Sequence, residues 1–174
     1  KGGRINTDCI DNSAGVDCSD HEVNIKILLD AVVGNGDMTE KQRNQLLASM
    51  TDEVAALVLR NNILQVQAIS LAEANPSQLL DSQAGFIRRL ETSGRLNREL
   101  EVLPDDDTQA QRRQMGQGLY RPEVAVLLAY AKMTLYDELL ASELPDDPHL
   151  VRDLVKYFPR PLRTRFRPQI EQHR

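Results

Sequence analysis

The stretch DNSAGVDCSDHEVNIKILL, residues 11–29, joins a turn of small residues and carboxylates to an amphipathic segment. Ser19 followed by Glu22 predicts a capping box, in which the serine side chain accepts from the Glu22 amide and the glutamate reaches back to the Ser19 amide. Glycine at position 34 predicts the end of this helix. The apolar residues expected to share one side of it are Val23, Ile27 and Ala31.

The residues before Ser19 are rich in Gly, Asn, Asp and Ser, with isolated apolar residues at Ile5 and Ile10. This composition predicts a loop with one short strand over residues 1–18. The chain starts at Lys1 without an initiator methionine and without the order of a signal peptide. We therefore expect it to be a piece of a longer polypeptide.

Helical signals dominate the rest of the chain. Thr39 and Gln42 repeat the capping-box pattern, and Thr51 precedes a long stretch of helical periodicity without Gly or Pro until Pro76. The polar stretch 104–118 predicts a loop with one or two solvated helical turns. Further helices are expected at about 77–94, 122–144, 150–158 and 162–173. The core positions predicted for the two longest helices are Val54, Leu57, Val58, Ile63, Val66, Ile69, Leu71, Val124, Leu127, Leu128, Met133, Leu135 and Leu139.

The predicted fold class is mainly α: a multi-helix C-terminal domain preceded by a short loop or strand. The formal charge of −5, the absence of Trp and an aromatic content of 4% argue against nucleic-acid partners. Two cysteines are too few for a disulfide framework, and no apolar run approaches the roughly 18 residues that span a bilayer. These features predict a cytoplasmic protein without a membrane partner.

The acidic turn does not fit a metal site. If Asp11 were the first position of a calcium loop, Glu22 would be the twelfth, but Val16 would occupy the sixth, where the turn requires glycine. Cys9, Cys18 and His21 lack the usual spacings of zinc ligands. We therefore predict no metal, with buried cysteines and a packing or surface role for His21.

The turn fits a binding site for an anion better than one for a metal ion. Gly15 permits close approach of the backbone, and a serine at a helix start offers a hydroxyl and exposed amides to a carboxylate or a phosphate. Composition does not choose between these anions. The ordinary role of the neighbouring Asp20 and Glu22 is to stabilise the first turn through the helix dipole.

The turn and two later segments of the chain resemble a known protein family. The string DCIDNSAGVDCSDHE resembles the substrate-side motif of glutamate dehydrogenases, which reads roughly D-x-x-x-N-A-G-G-V-x-V-S-x-x-E in hexameric members. Three longer strings, GGRINTDCIDNSAGVDCSDHEVNIKILL, RPEVAVLLAYAKMTLYDELLASELPDDP and YFPRPLRTRF, are similar to the large bacterial NAD-specific glutamate dehydrogenases, and the similarity covers essentially all 174 residues. The motif is matched at Asp8, Asn12, Gly15, Val16, Ser19 and Glu22.

The resemblance implies roles for three residues. It implies that Asn12 lies near the nicotinamide and the substrate, that Val16 forms a wall of the pocket, and that the Ser19 hydroxyl meets the side-chain carboxylate of glutamate. The departures from the motif are Ser13, Ala14, Asp17 and Cys18, of which Asp17 adds a negative charge close to an anionic ligand.

The rest of the implied site is absent from this sequence. Family members oxidise glutamate to 2-oxoglutarate and ammonia with a lysine, an aspartate and NAD held on a Gly-rich Rossmann turn. No GxGxxG occurs here, and Lys1 is not in the context of the family lysine. The resemblance therefore implies that residues 1–36 end a Rossmann-type catalytic domain and contain no catalytic residue. The isolated chain is then expected to be inactive.

Residues 37–174 would be the helical C-terminal domain of the large class. Its C-terminal arginines could pair with the acidic runs Asp105–Asp107 or Asp146–Asp147, within or between chains, although a solvated charged face is the simpler expectation. We expect the complete enzyme to be a homo-oligomer whose partners are glutamate or 2-oxoglutarate and its own upstream catalytic domain. The alternative is a non-catalytic helical interaction or regulatory module. The C-terminal arginines that could pair with these acidic runs are Arg160, Arg163, Arg165 and Arg167.

Overall fold

The described residues of the protein are mainly helical. A computed structural model describes residues 3–173, apart from the side chain of Ser77, so Lys1 and Gly2 lie outside the described residues. The helices are α1 (Asp8–Asp11), α2 (Ser13–Gly34), α3 (Glu40–Ser49), α4 (Thr51–Ala74), α5 (Pro76–Thr92), α6 (Asp106–Gln114), α7 (Arg121–Leu140), α8 (Val151–Tyr157), α9 (Arg160–Arg165) and α10 (Arg167–Glu171). A single 3-10 turn, Leu144–Asp146, precedes α8.

The mainly α fold class is confirmed, but the strand predicted before Ser19 is wrong. No strand occurs within residues 3–173, and α1 and α2 occupy most of the segment expected to be irregular. The turn-forming residues of this segment are compatible with a helix. A single glycine, Gly15, costs only about 1 kcal/mol inside a helix and does not end it.

Several helix boundaries follow local chemistry that the sequence displays. Thr39 and Gln42 form the predicted capping box: the Gln42 amide donates to Thr39 Oγ1 at 3.3 Å, and the Thr39 amide donates to Gln42 Oε1 at 2.9 Å. Pro76 occupies the first turn of α5, where its missing N–H costs no helical hydrogen bond.

The polar stretch 104–118 is more ordered than predicted. It contains α6, whose first turn is capped by Asp105 accepting from the Thr108 amide at 2.7 Å. Arg112 is buried and makes two hydrogen bonds to the Glu123 carboxylate, at 2.6 and 3.0 Å. A charged side chain can be buried when such a partner neutralises it.

The chain divides into two compact units. The first comprises residues up to Asn12 together with Asn62–Tyr136, and the second comprises Ser13–Asn61 together with the residues from Asp137 onward. The core of the first unit is formed by Ile10, Ile69, Leu80, Ile87, Leu90, Leu96, Leu103, Leu119, Val124, Ala125 and Leu127. The core of the second is formed by Ile25, Leu28, Leu29, Val32, Met38, Leu46, Met50, Phe158, Leu162, Phe166 and Ile170.

Some predicted core positions are exposed instead. Val58, Ile69, Val124 and Leu127 are buried as predicted, whereas Ile63, Leu71, Met133 and Leu135 are each more than half exposed. Apolar residues lie around much of the circumference of α4 and α7, and periodicity alone does not show which side is covered.

One turn in the first unit is held in an unusual conformation. Val102 has a φ of 54° and lies at the position where two main-chain bonds close a helical turn, from the Val102 amide to Glu99 and from the Leu103 amide to Arg98. Gly94 occupies the equivalent position after α5. Glycine adopts this left-handed conformation without strain, whereas a β-branched residue is strained there.

Among the described residues, one helix is long and apolar enough to cross a bilayer by length and composition. This helix is α4, although Arg60, Asn61 and Asn62 interrupt its apolar sequence. A single helix of this kind is weak evidence for a membrane span, so the absence of a membrane partner stays a prediction.

The C-terminal arginines have acidic partners other than the predicted run at Asp105–Asp107. Arg163 lies 3.5 Å from Glu53, and Arg167 lies 2.8 Å from Glu171. Asp106 accepts a hydrogen bond from Arg98, which holds the pKa of that carboxyl below its usual range. Pairing of the C-terminal arginines with Asp105–Asp107 or Asp146–Asp147, within or between chains, stays a prediction.

Candidate functional site

Two of the three residues predicted to bind substrate, Val16 and Ser19, lie in the first two turns of α2, which begins at Ser13 and not at the predicted cap Ser19. Ser19 and Glu22 are both inside the helix, so the capping box predicted for them is wrong. The Glu22 carboxylate pairs with Lys26 one turn on, and this hydrogen bond lowers the pKa of Glu22. Because helix geometry engages the Ser19 amide, only the Ser19 hydroxyl is available to a ligand.

Val16 and Ser19 share one exposed face of α2. They are three residues apart, which places them about 4.5 Å from each other along the helix axis. Val23 and Ile27 continue the same face and are each 54% exposed, while Val16 is 77% exposed. The structure thus brings a hydroxyl and three aliphatic side chains together on a surface that the described residues leave uncovered. This surface is called the open face below.

Asn12 is the C-cap residue of α1, and its amide donates to the Asp8 carbonyl at 2.8 Å. It is exposed and belongs to the first compact unit, whereas Val16 and Ser19 belong to the second. The predicted site residues thus fall in both compact units.

The opposite face of α2 forms part of the core of the second unit. Its buried residues are His21, Ile25, Leu28, Leu29 and Val32. The apolar side predicted from the sequence was Val23, Ile27 and Ala31, and this prediction is wrong because all three are exposed. The covered face packs against apolar residues of the C-terminal segment 154–170, such as Phe158 and Leu162.

A polar network holds the N-terminal half of α2 to the C-terminal part of the chain. The Tyr157 hydroxyl donates to Asp20 Oδ2 at 2.6 Å and accepts from Asn24 Nδ2 at 3.2 Å. The Tyr157 ring stacks on His21, with centroids 4.5 Å apart and planes 18° apart. Burial, followed by the hydrogen bond to the Asp20 carboxylate, raises the pKa of Tyr157. This phenol is therefore a stable hydrogen-bond donor at neutral pH.

The network extends to the end of the described chain. His173 Nε2 lies 3.2 Å from Asn24 Oδ1. Because the Asn24 amide nitrogen donates to Tyr157 and to the Asp20 carbonyl, its oxygen must accept, and His173 must carry its proton on Nε2. A separate bond from Asn61 Nδ2 to Asp17, at 2.9 Å, ties α2 to α4.

His21 and the two cysteines lie in different surroundings. His21 is buried, which agrees with the predicted packing role and not with the surface role. Neither of its ring nitrogens has a hydrogen-bond partner. Cys9 and Cys18 are exposed, so their predicted burial is wrong. Within residues 3–173, no cluster of three or more His, Cys, Asp or Glu side chains is arranged to hold a metal ion.

The sequence did not predict the polar network formed by Asn24, Tyr157 and His173. The bonds that join them to α2 or to one another span 133 to 149 residues of chain. No local pattern indicates a contact at that separation. The only sequence feature that involves Tyr157 is the family resemblance of the string YFPRPLRTRF.

The first unit also contains an apolar groove of about 280 Å³ between α4, α5 and α7. Ala68, Ala72, Phe86 and Leu127 are among its lining residues. None of the predicted site residues lines this groove, so it is not part of the candidate site.

Comparison with protein families gives two matches. Residues 1–72 match the family described as bacterial NAD-glutamate dehydrogenase, catalytic domain, and residues 116–174 match the family described as glutamate dehydrogenase, C-terminal. The candidate residues Asn12, Val16 and Ser19 all lie within the first match. The predicted domain boundary between residues 36 and 37 stays a prediction.

Curated relatives resemble the chain from end to end. It is 53% identical over 174 residues to an NAD-specific glutamate dehydrogenase of Halomonas elongata and 52% identical over 173 residues to one of Pseudomonas aeruginosa. A third, of Mycobacterium tuberculosis, is 51% identical over 172 residues. The chain spans 11% of the length of each of these relatives. No solved structure matches it significantly. The two family matches and the end-to-end similarity together show that the chain belongs to the bacterial NAD-specific glutamate dehydrogenase family.

Proposed function

We propose that this chain contributes the open face of α2 to the substrate side of an NAD-dependent glutamate dehydrogenase. The reaction is the oxidative deamination of L-glutamate to 2-oxoglutarate and ammonia. Ser19 donates a hydrogen bond to the side-chain carboxylate of the substrate, and Val16 packs against its aliphatic carbons. Asn12 approaches the nicotinamide and the substrate.

The observation that carries the proposal is the contrast between the open face and the rest of α2. Val16, Val23 and Ile27 are exposed beside the Ser19 hydroxyl, while the opposite side of the same helix is packed. Aliphatic surface next to one hydrogen-bond donor suits a ligand with a short carbon chain and a terminal carboxylate. Glutamate and 2-oxoglutarate have this shape.

The charges on α2 support a site completed by other polypeptide. The only Lys or Arg between Ser13 and Gly34 is Lys26, and Glu22 already neutralises it. Asp17 and Asp20 add negative charge next to Ser19. A substrate with two carboxylates needs cations that these residues do not supply. We propose that the upstream catalytic domain provides them, together with the lysine and aspartate of the proton transfers.

The residues described here fit only a small part of an NAD site. Asn12 offers an exposed carboxamide, but the sequence has no Gly-rich dinucleotide turn to hold the pyrophosphate. Bound NAD would accept the hydride from the substrate carbon. The role of this chain is then to position the substrate carboxylate. The homo-oligomeric state and the cytoplasmic location of the complete enzyme remain predictions.

The test is Ser19→Ala in the complete enzyme. Loss of a hydrogen bond to a charged group should raise the KM for glutamate by about tenfold to a hundredfold and leave the KM for NAD unchanged. Ser82→Ala is the matched control, since Ser82 is an exposed helical serine in the other compact unit. An unchanged KM for glutamate in Ser19→Ala would refute the assignment.

A non-catalytic helical interaction module is the alternative, and the exposed apolar residues of α4 favour it. Leu59, Ile63 and Leu71 are each more than half exposed. This alternative predicts that deleting residues 37–174 leaves glutamate oxidation unchanged while removing a stable protein partner. Loss of activity on deletion, together with the Ser19→Ala effect, favours the enzyme.

A further inference from the structure

The two halves of α2 are held in different ways. Four of its five buried side chains lie from Ile25 onward, and His21 is the single buried side chain before that point. Apolar packing therefore fixes the C-terminal half of the helix. The half that carries Val16 and Ser19 depends on its polar contacts.

Tyr157 makes three of these contacts within one turn of the helix. Its hydroxyl reaches Asp20 and Asn24, which are one turn apart, and its ring covers His21 between them. Three contacts within one turn oppose both rotation of the helix about its axis and sliding along it. Asp20 directly follows Ser19, about 100° around the helix. A rotation of α2 that breaks the Tyr157 contacts therefore also changes the direction in which the Ser19 hydroxyl points.

We propose that Tyr157 is a positioning residue for the dehydrogenase reaction, which aims the Ser19 hydroxyl at the substrate carboxylate by holding Asp20 and Asn24. The proposal rests on the proposed function, in which Ser19 meets that carboxylate. Tyr157 itself touches neither substrate nor cofactor.

His173 strengthens this arrangement from the other side of Asn24. Its Nε2 proton satisfies the Asn24 oxygen, so the amide nitrogen faces the Tyr157 hydroxyl. The His173 ring also packs edge-on against Phe158, the residue after Tyr157. The C-terminal end of the chain thereby fixes the hydrogen-bonding partner that Tyr157 needs.

The first experiment is Tyr157→Phe in the complete enzyme. This change keeps the ring, its stacking on His21 and its contact with Phe158, and removes only the hydroxyl. We expect the KM for glutamate to rise about threefold to tenfold, with the KM for NAD and the melting temperature nearly unchanged. Tyr136→Phe is the matched control, because it makes the same change at a tyrosine that is 63% exposed.

Three further variants report whether the effect passes through the network: two substitutions of Asp20 and one double variant. Asp20→Asn keeps an oxygen that accepts from Tyr157 and should retain most of the affinity, whereas Asp20→Ala should match Tyr157→Phe. In a Ser19→Ala background, the Tyr157→Phe effect on the glutamate KM should disappear, because Tyr157 acts only through Ser19.

The outcomes separate this proposal from the proposed function. A raised glutamate KM in Ser19→Ala with no change in Tyr157→Phe overturns the positioning role alone. Additive effects of the two changes, or an equal rise in the KM for NAD with a lower melting temperature, also overturn it. No effect of Ser19→Ala overturns the proposed function and the positioning role with it.

Discussion

The two faces of α2 differ in what they need from the rest of the protein. The buried face, which includes Leu29 and Val32, is covered by other residues of the second unit, and Leu29 and Val32 have no exposed surface. The open face exposes Val16, Ser19 and Val23 and meets no comparable cover among the described residues. One face is thus complete within this chain, and the other is available to a ligand or to further polypeptide. In the proposed function, stability and substrate binding depend on opposite sides of one helix.

The largest expected effect tests the covered side. Phe158 is fully buried, so Phe158→Ala should lower the free energy of unfolding of the second unit by about 3–5 kcal/mol through lost burial and a cavity. Val23→Ala on the open face should change it by less than about 0.5 kcal/mol. Urea denaturation followed by circular dichroism measures both. Equal losses in the two variants would mean that the open face is packed in solution.

A smaller effect is expected at the border between the faces. His21 is buried with neither ring nitrogen bonded, so His21→Phe removes two unsatisfied polar atoms while keeping a ring to stack on Tyr157. We expect the free energy of unfolding to rise by about 1 kcal/mol. His149→Phe, at an exposed histidine, should leave it unchanged. A loss of stability in His21→Phe would contradict this expectation and would mean that the imidazole interacts favourably with Asp17, 3.9 Å away.

The smallest expected effect separates stability from activity. Gly15 lies within α2 with nothing within 4 Å of an added Cβ, and Gly85 has the same open surroundings within α5. Gly→Ala should therefore stabilise either helix by about 0.5–1 kcal/mol. In the complete enzyme, only Gly15→Ala should also lower activity, since a methyl group there would narrow the approach to the open face. Equal activity in the two variants would argue against a ligand next to Gly15.

Much of the helical organisation was open to prediction because its causes are local. Thr39 and Gln42 are three residues apart, and that spacing alone sets the start of α3. Pro76 and Gly94 likewise mark the limits of α5 within two residues. The same spacing gave a wrong prediction at Ser19, because a serine with a glutamate three residues later also occurs inside a helix. There Glu22 finds Lys26 instead of the serine amide.

Sequence by itself determined that this protein is helical, that it belongs with NAD-specific glutamate dehydrogenases, and which residues match the substrate motif. These conclusions depend on residue identity and short spacing, which the chain carries in any conformation. Only the tertiary structure decided that α2 starts at Ser13, which of its faces is covered, and that Tyr157 contacts Asp20 and Asn24. The reason is that burial and hydrogen bonding across more than 130 residues arise when distant segments meet, and no local pattern encodes that meeting.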